Sequence, residues 1–197
     1  EDGREVFYDL VKVADVVIDN FRAGVLERLK IDYPTLSKIN PRLLQCSVTG
    51  FGSEGEYKDY PALDLVIQAI SGHMAFTGEP GRPPARNGIP LADLSGGFFS
   101  AQGILAALYD RERTGKGRYV ELSMFDAMLN LTSYIGTVWL TKGELPKPQG
   151  SAHEYSVPWQ AFEASDGYLV IAGANDRLFR KMSEALGHPE WADVIKK

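Results

Sequence analysis

At 197 residues, 44% apolar and 24% charged, the chain has the composition of an ordinary globular protein with a sizeable core to bury. A net charge of −5 with no Lys/Arg cluster argues against nucleic acid as a partner and leaves room only for a local basic pocket around a phosphorylated ligand. One cysteine, Cys46, excludes an internal disulfide; with no signal-peptide pattern and no run read as a membrane span, the expectation is a cytoplasmic protein with no membrane partner, an organelle matrix fitting equally.

Val6, Phe7, Leu10, Val11 and Ala14 recur at helical spacing and predict an amphipathic helix over 5–14. The β-branched run 15–19 then suits a buried parallel strand. A turn at 20–24 leads to a helix over 25–29, a third helix starts at Pro34, and 43–49 is the next strand. Helix, strand, helix, strand implies an α/β fold with part of a doubly wound, Rossmann-like parallel sheet. The strand runs into Gly50-Phe-Gly52-Ser-Glu-Gly55, a G-x-G-x-x-G match, but Tyr57, Tyr60 and Pro61 follow where a dinucleotide site needs a helix, so the segment reads as a turn. A helix over 63–74 is expected with Leu65, Val66, Ala69 and Ile70 inward. A Gly/Pro-rich segment, 78–90, follows it, and then the longest helix, 94–113, closed by Gly115 and Gly117. A strand at 119–123, a helix over 125–140, a linker over 141–156, a hairpin of 159–164 with 168–172, and a helix over 177–186 complete the chain and open a smaller α+β domain. The missing initiator Met and a first residue already in helix suggest a piece of a longer protein.

Metal chemistry has no support, because His73, His153 and His188 are scattered and no H-x-x-x-H or C-x-x-C spacing occurs. No serine sits in a G-x-S-x-G elbow either. Pro90-Leu-Ala-Asp93-Leu-Ser-Gly-Gly97 is different: it puts one carboxylate at the mouth of the longest helix. Unpaired N–H groups and the helix dipole there would favour the ionised form. Such a residue is either an N-cap or a nucleophile.

Asp19-Asn-Phe-Arg-Ala-Gly-Val-Leu-Glu-Arg28, Ser47-Val-Thr-Gly-Phe-Gly52, Asp64-Leu-Val-Ile-Gln-Ala-Ile-Ser-Gly72, Thr77-Gly-Glu-Pro80, Ala92-Asp93-Leu94 and Arg113-Thr-Gly-Lys-Gly117 together resemble the family III CoA-transferases, which include formyl-CoA, carnitine and dicarboxylate CoA-transferases. The α-methylacyl-CoA racemases share that fold. The resemblance runs through all 197 residues, about half a family member's length. It implies a large CoA-binding α/β domain over 1–140 lacking its first β-α-β segment, a linker with an active-site loop over 141–156, and the start of a small domain over 157–197. It further implies Asp93 as the catalytic carboxylate; Asn20, Phe21 and Arg28 at the CoA nucleotide; Asp64 lining the site; and Gly150 to His153 in a loop over the acyl group. The CoA thioester would be a substrate, with no tightly bound cofactor. The expected reaction passes CoA from an acyl-CoA to a carboxylic acid, dicarboxylates among them, through a mixed anhydride and an aspartyl-CoA thioester, with oxyanions met by N–H groups near Gly96 and Gly97 or in the Gly150 loop. The full-length protein is expected to be an interlocked homodimer, and this piece alone inactive or limited to binding CoA. A racemase would need a histidine where Leu63 stands, and His73 is ten residues away.

Overall fold

The computed structural model describes residues 2–194. Contacts divide the chain into two compact units, Glu1–Met74 with Arg86–Pro146, and Ala75–Ala85 with Lys147–Lys197.

The first unit begins with α1 (Asp2–Val13), β1 (Val16–Asp19), α2 (Val25–Leu29), α3 (Tyr33–Ile39) and β2 (Leu44–Thr49). After an irregular loop come α4 (Asp64–Ile70) and, past the left-handed Gly72, the short α5 (His73–Phe76). The long α6 (Leu91–Thr114), β3 (Arg118–Ser123), α7 (Met124–Leu131) and α8 (Ser133–Lys142) follow. The strands form one parallel sheet in the order β1-β2-β3, so the α/β architecture expected from the sequence is present. The register sets Asp19 beside Ser47 and Ser47 beside Glu121, a polar row at the carboxyl ends of the strands. Ligands of open α/β sheets gather at this edge.

Two clusters hold the unit together. Val11, Leu36 and Leu43 pack α1 and α3 beside the sheet, with Phe7, Tyr8 and Val17 against them. α3 forms here because Asp32 caps it through the Thr35 N–H at 3.1 Å and Pro34 fits its first turn. Ile67, Ala92, Met124 and Met128 join α4, α6 and α7, with Val48 and Phe51 against them. α6 lies along β2 and β3 through small residues, Ala92, Gly96, Ser100 and Ala107, while its large side chains Leu94, Phe98, Leu105 and Tyr109 face outward. A Cβ at position 103 would come within 2.9 Å of Val120, which explains a glycine in mid-helix. Among the described residues α6 alone has the length and apolarity of a membrane span, contrary to the sequence reading, and its small-residue face on the sheet is that of a core helix.

Several expected faces are wrong. Val6 and Leu10 of α1 are exposed, and Ile18 is 61% exposed on β1, which lies at the edge of the sheet among the described residues. In α4 the expected inward residues Leu65, Val66 and Ile70 point outward, and the buried pair is Ile67 and Gln68. The helix expected over 125–140 breaks at Thr132, whose hydroxyl bonds the Leu129 carbonyl, and Ser133 takes φ 53°.

In the second unit, β4 (Trp159–Ala164) and β5 (Gly167–Ala172) form the expected antiparallel hairpin. α9 (Asp176–Ala185) is capped by Asn175 on the Leu178 N–H, and a 3-10 turn spans Pro189–Val194.

Candidate active site

A cavity of about 290 Å³ opens where the chain leaves β1 and β2. Its wall includes Asn20 and Phe21 after β1, Thr49 at the end of β2, Lys58 and Tyr60 from the irregular loop, and Asp64 and Asp93 at the starts of α4 and α6. The close return of the loop depends on Gly50: a Cβ there would land on the Ala62 Cβ, while the Gly50 carbonyl accepts from the Phe125 N–H at 3.0 Å. Gly50→Ala is therefore expected to cost about 2 kcal/mol or more, read as a fall in the denaturant midpoint.

Asp93 is exposed on this wall as the third residue of α6. From the sequence, the N–H groups of the helix mouth are expected to hold this carboxylate. They hold another: Asp64 Oδ1 accepts from the Ala92 N–H at 2.8 Å and the Asp93 N–H at 3.4 Å. Pro90 is the cap position and caps with no side chain, so a carboxylate from α4 does it. Asp93 is thus not an N-cap. Its carboxyl is raised above the ordinary aspartate value, first by desolvation and then by the negative charge of Asp64, opposite to the depression expected from the dipole. Gly96 and Gly97, the sixth and seventh residues of α6, have their N–H groups in the helical ladder and cannot serve an oxyanion.

The other expected residues are distributed unevenly. Asn20 and Phe21 line the cavity, but the Asn20 amide donates to the Val48 carbonyl at 2.5 Å, so it braces the turn as well as facing the site. Phe21 is 48% exposed, an aromatic face without core burial. Arg28 lies exposed on α2 and lines neither this cavity nor its neighbour. That neighbour, also about 290 Å³, is lined by Asp19, Glu27, Ser47, Tyr119 and Glu121 along the polar strand ends, and shares Phe21, Arg22 and Lys58 with the first. Gly150 and His153 belong to the second unit. There Gly150 has φ 61° and donates to the Gly78 carbonyl at 2.8 Å; His153 Nδ1 accepts from the Tyr155 N–H at 3.1 Å, and its ring meets Trp159.

Sequence reasoning set Arg22 in the turn motif after β1 without giving it a role, and it missed Lys58. They are the cations of the first cavity and, among the described residues, neither is in a salt bridge. It also missed Gln68, 0% exposed, which donates to Asp64 Oδ2 at 2.7 Å. A polar residue inside an otherwise apolar helical run was the available signal. Leu63 stands in the wall beside Asp64, while His73 is buried and bonded to Ser71 at 3.0 Å, its pKa lowered by burial. Among the described residues no metal-binding group of His, Cys, Asp or Glu occurs.

The carboxyl edge of a parallel sheet, with Asp93 beside a second acid and two cations on the same cavity wall, is the kind of site where α/β proteins hold an anionic ligand. Residues 1–195 match the CoA-transferase family III, and the chain belongs to that family. It is 45% identical over 193 residues to the acetyl-CoA:oxalate CoA-transferase of Acetobacter aceti, and 39% identical over 196 residues to the succinyl-CoA:mesaconate CoA-transferase of Haloarcula hispanica. Each alignment takes in 98% of this chain and 50% of the relative. A CaiB/BaiF family protein from Brucella suis superposes with a TM-score of 0.86 at 42% identity, over 98% of this chain and 51% of that one. The chain spans about half the length of the curated relatives it matches.

Proposed function

We propose that the full-length protein transfers CoA from an acyl-CoA to a carboxylic acid, with Asp93 as nucleophile. The observation that carries this is the Asp93 carboxylate on the wall of the cavity, made more basic by partial desolvation first and by Asp64 second, in a chain of this family. Asp93 attacks the thioester carbonyl, expelling CoA thiolate and leaving a mixed anhydride. The thiolate attacks the Asp93 carbonyl, which releases the first acid and forms an aspartyl-CoA thioester. The incoming carboxylate attacks that same carbonyl, expelling thiolate again, and the thiolate takes the acyl group and regenerates Asp93. A raised pKa suits a nucleophile, since basicity and nucleophilicity rise together.

The relatives named for oxalate and mesaconate favour a small dicarboxylate as acceptor. Arg22 and Lys58 are proposed to meet the phosphates of CoA, with Arg28 kept for the distant nucleotide end. On that basis Lys58→Ala raises KM for the acyl-CoA by about tenfold and changes kcat by less than about twofold, measured in steady-state assays. The outward apolar face of α6 fits burial against further protein in a homodimer. A racemase would place a proton-transfer histidine on the cavity wall, and Leu63 occupies that position. The test is the intact mass of the full-length protein after incubation with succinyl-CoA or oxalyl-CoA alone. A CoA-sized adduct on the Asp93 peptide, discharged by added dicarboxylate, supports transfer. No adduct in protein that binds CoA, with deuterium exchange at the α-carbon of succinyl-CoA, would turn the reading to racemisation.

A further inference from the structure

We propose that Gln68 is a positioning residue for the transfer reaction, clasping the entry to α6 so that Asp64 holds the helix mouth and Asp93 faces the cavity. The inference rests on Asp93 as nucleophile.

Asp64 and Gln68 stand four residues apart on α4 and therefore on one face. Both ends of the Gln68 amide are used. Nε2 donates to Asp64 Oδ2 at 2.7 Å and reaches the Ile89 carbonyl at 3.5 Å; Oε1 accepts from the Asn87 N–H at 2.9 Å. Asp64 spends its other oxygen on the Ala92 and Asp93 N–H groups. Two side chains of α4 thus hold the backbone at 87, 89, 92 and 93, the segment that sets where α6 begins and where Asp93 points. The Gln68 tie on one Asp64 oxygen fixes the plane of the carboxylate, so that the other oxygen stays turned toward α6. With a side chain that cannot donate there, Asp64 Oδ2 loses its partner and the carboxylate is free to rotate off the helix mouth. Fully buried polar side chains are costly unless satisfied, and among the described residues this amide is met by Asp64 and by the backbone at 87 and 89, ahead of Asp93.

Gln68→Glu is the diagnostic replacement. Protonated, the introduced carboxyl donates an O–H to Asp64 and accepts from the Asn87 N–H, reproducing the amide; ionised, it repels Asp64. Burial and the neighbouring Asp64 keep the proton on the introduced carboxyl toward neutral pH. The other titratable groups on the elements next to α4 are Asp93 near the start of α6, with Tyr109, Asp110, Arg111, Glu112 and Arg113 in its last turns, Asp126 on α7, His73 on α5 and Arg86 in the segment leading to α6.

The experiment compares full-length wild type, Gln68→Glu and Gln68→Leu in three readouts: the rate of CoA-adduct formation on Asp93 from pH 5 to 8.5, CoA affinity by calorimetry, and the carboxyl 13C titration of Asp93 assigned by difference from Asp93→Asn. Expected are a tenfold or greater slowing in Gln68→Leu with CoA affinity within twofold, and in Gln68→Glu a rate that falls as pH rises where the wild type is flat. A wild-type rate and pH profile in Gln68→Glu overturns the proposal. Should Gln68→Leu fail to fold, Gln68→Glu at high pH, where the introduced carboxylate is ionised, carries the same comparison, with its own low-pH rate as the control. If the wild type itself forms no adduct, the transferase reading fails; the clasp is then decided by the Asp93 titration, which must move in Gln68→Glu, and an unmoved midpoint overturns it.

Discussion

Replacing Asp93 by asparagine in the full-length protein abolishes the CoA adduct and lowers turnover by roughly a thousandfold or more, while CoA still binds and thermal stability at neutral pH rises. The loss follows because the amide is a poor nucleophile and every proposed intermediate passes through the Asp93 carbonyl. The stability effect follows from the direction of the carboxyl's shift. Asp93 lies above the usual aspartate value of 3.8, by desolvation first and the Asp64 charge second. The folded state therefore binds this proton more tightly than the unfolded chain, and ionised Asp93 costs stability at pH values above its folded pKa. Below the unfolded value the cost is absent. Asp93→Asn removes it, so the variant's Tm exceeds the wild type's at pH 7, and the gap closes on acidification toward pH 4. Scanning calorimetry at a series of pH values measures this; a Tm that falls at pH 7 contradicts a destabilising charge at this position.

The sheet was legible because its strands stand out as short segments between helices, β-branched at 15–19, largely apolar at 43–49 and alternating at 119–123, and all three became strands within a residue or two. Asp93 was legible as an acid near the start of the longest helix. Its surroundings were not. That Asp64 caps α6 depends on a contact across 28 residues, which no local pattern encodes. The same blindness reversed α4, where apolarity placed Leu65, Val66 and Ile70 inward; the first unit exposes those side chains and buries Gln68 for its hydrogen bonds. In α6 the sequence offers two candidate faces, and the small one wins the sheet because helix and strands approach closely at Gly96 and Gly103. Large apolar residues on the opposite face carry no local signal of what they meet.

Asp64 separates electrostatics from architecture in the same site. Asp64→Ala removes the acceptor for the Ala92 and Asp93 N–H groups and the partner of Gln68 Nε2 together, leaving a buried amide with one donor unmet. A lost cap alone costs about 1 kcal/mol, and the stranded amide adds about 1–3 kcal/mol. A clear fall in the denaturant midpoint is expected, with the adduct rate at pH 7 reduced about a hundredfold as α6 loses its fixed start. Asp64→Asn keeps an oxygen for the helix mouth but turns an NH2 toward the Gln68 NH2. Flipping the Gln68 amide would relieve that clash only by setting its NH2 against the Asn87 N–H, so some stability is lost here too. The charge, however, is gone. Asp93 then loses the second cause of its raised pKa and keeps the first, desolvation, so the acid limb of the adduct rate moves to lower pH without returning fully to that of an exposed aspartate. An acid limb unmoved in Asp64→Asn would mean that the negative charge of Asp64 is not felt at the nucleophile, and that the role of Asp64 is to hold the helix alone.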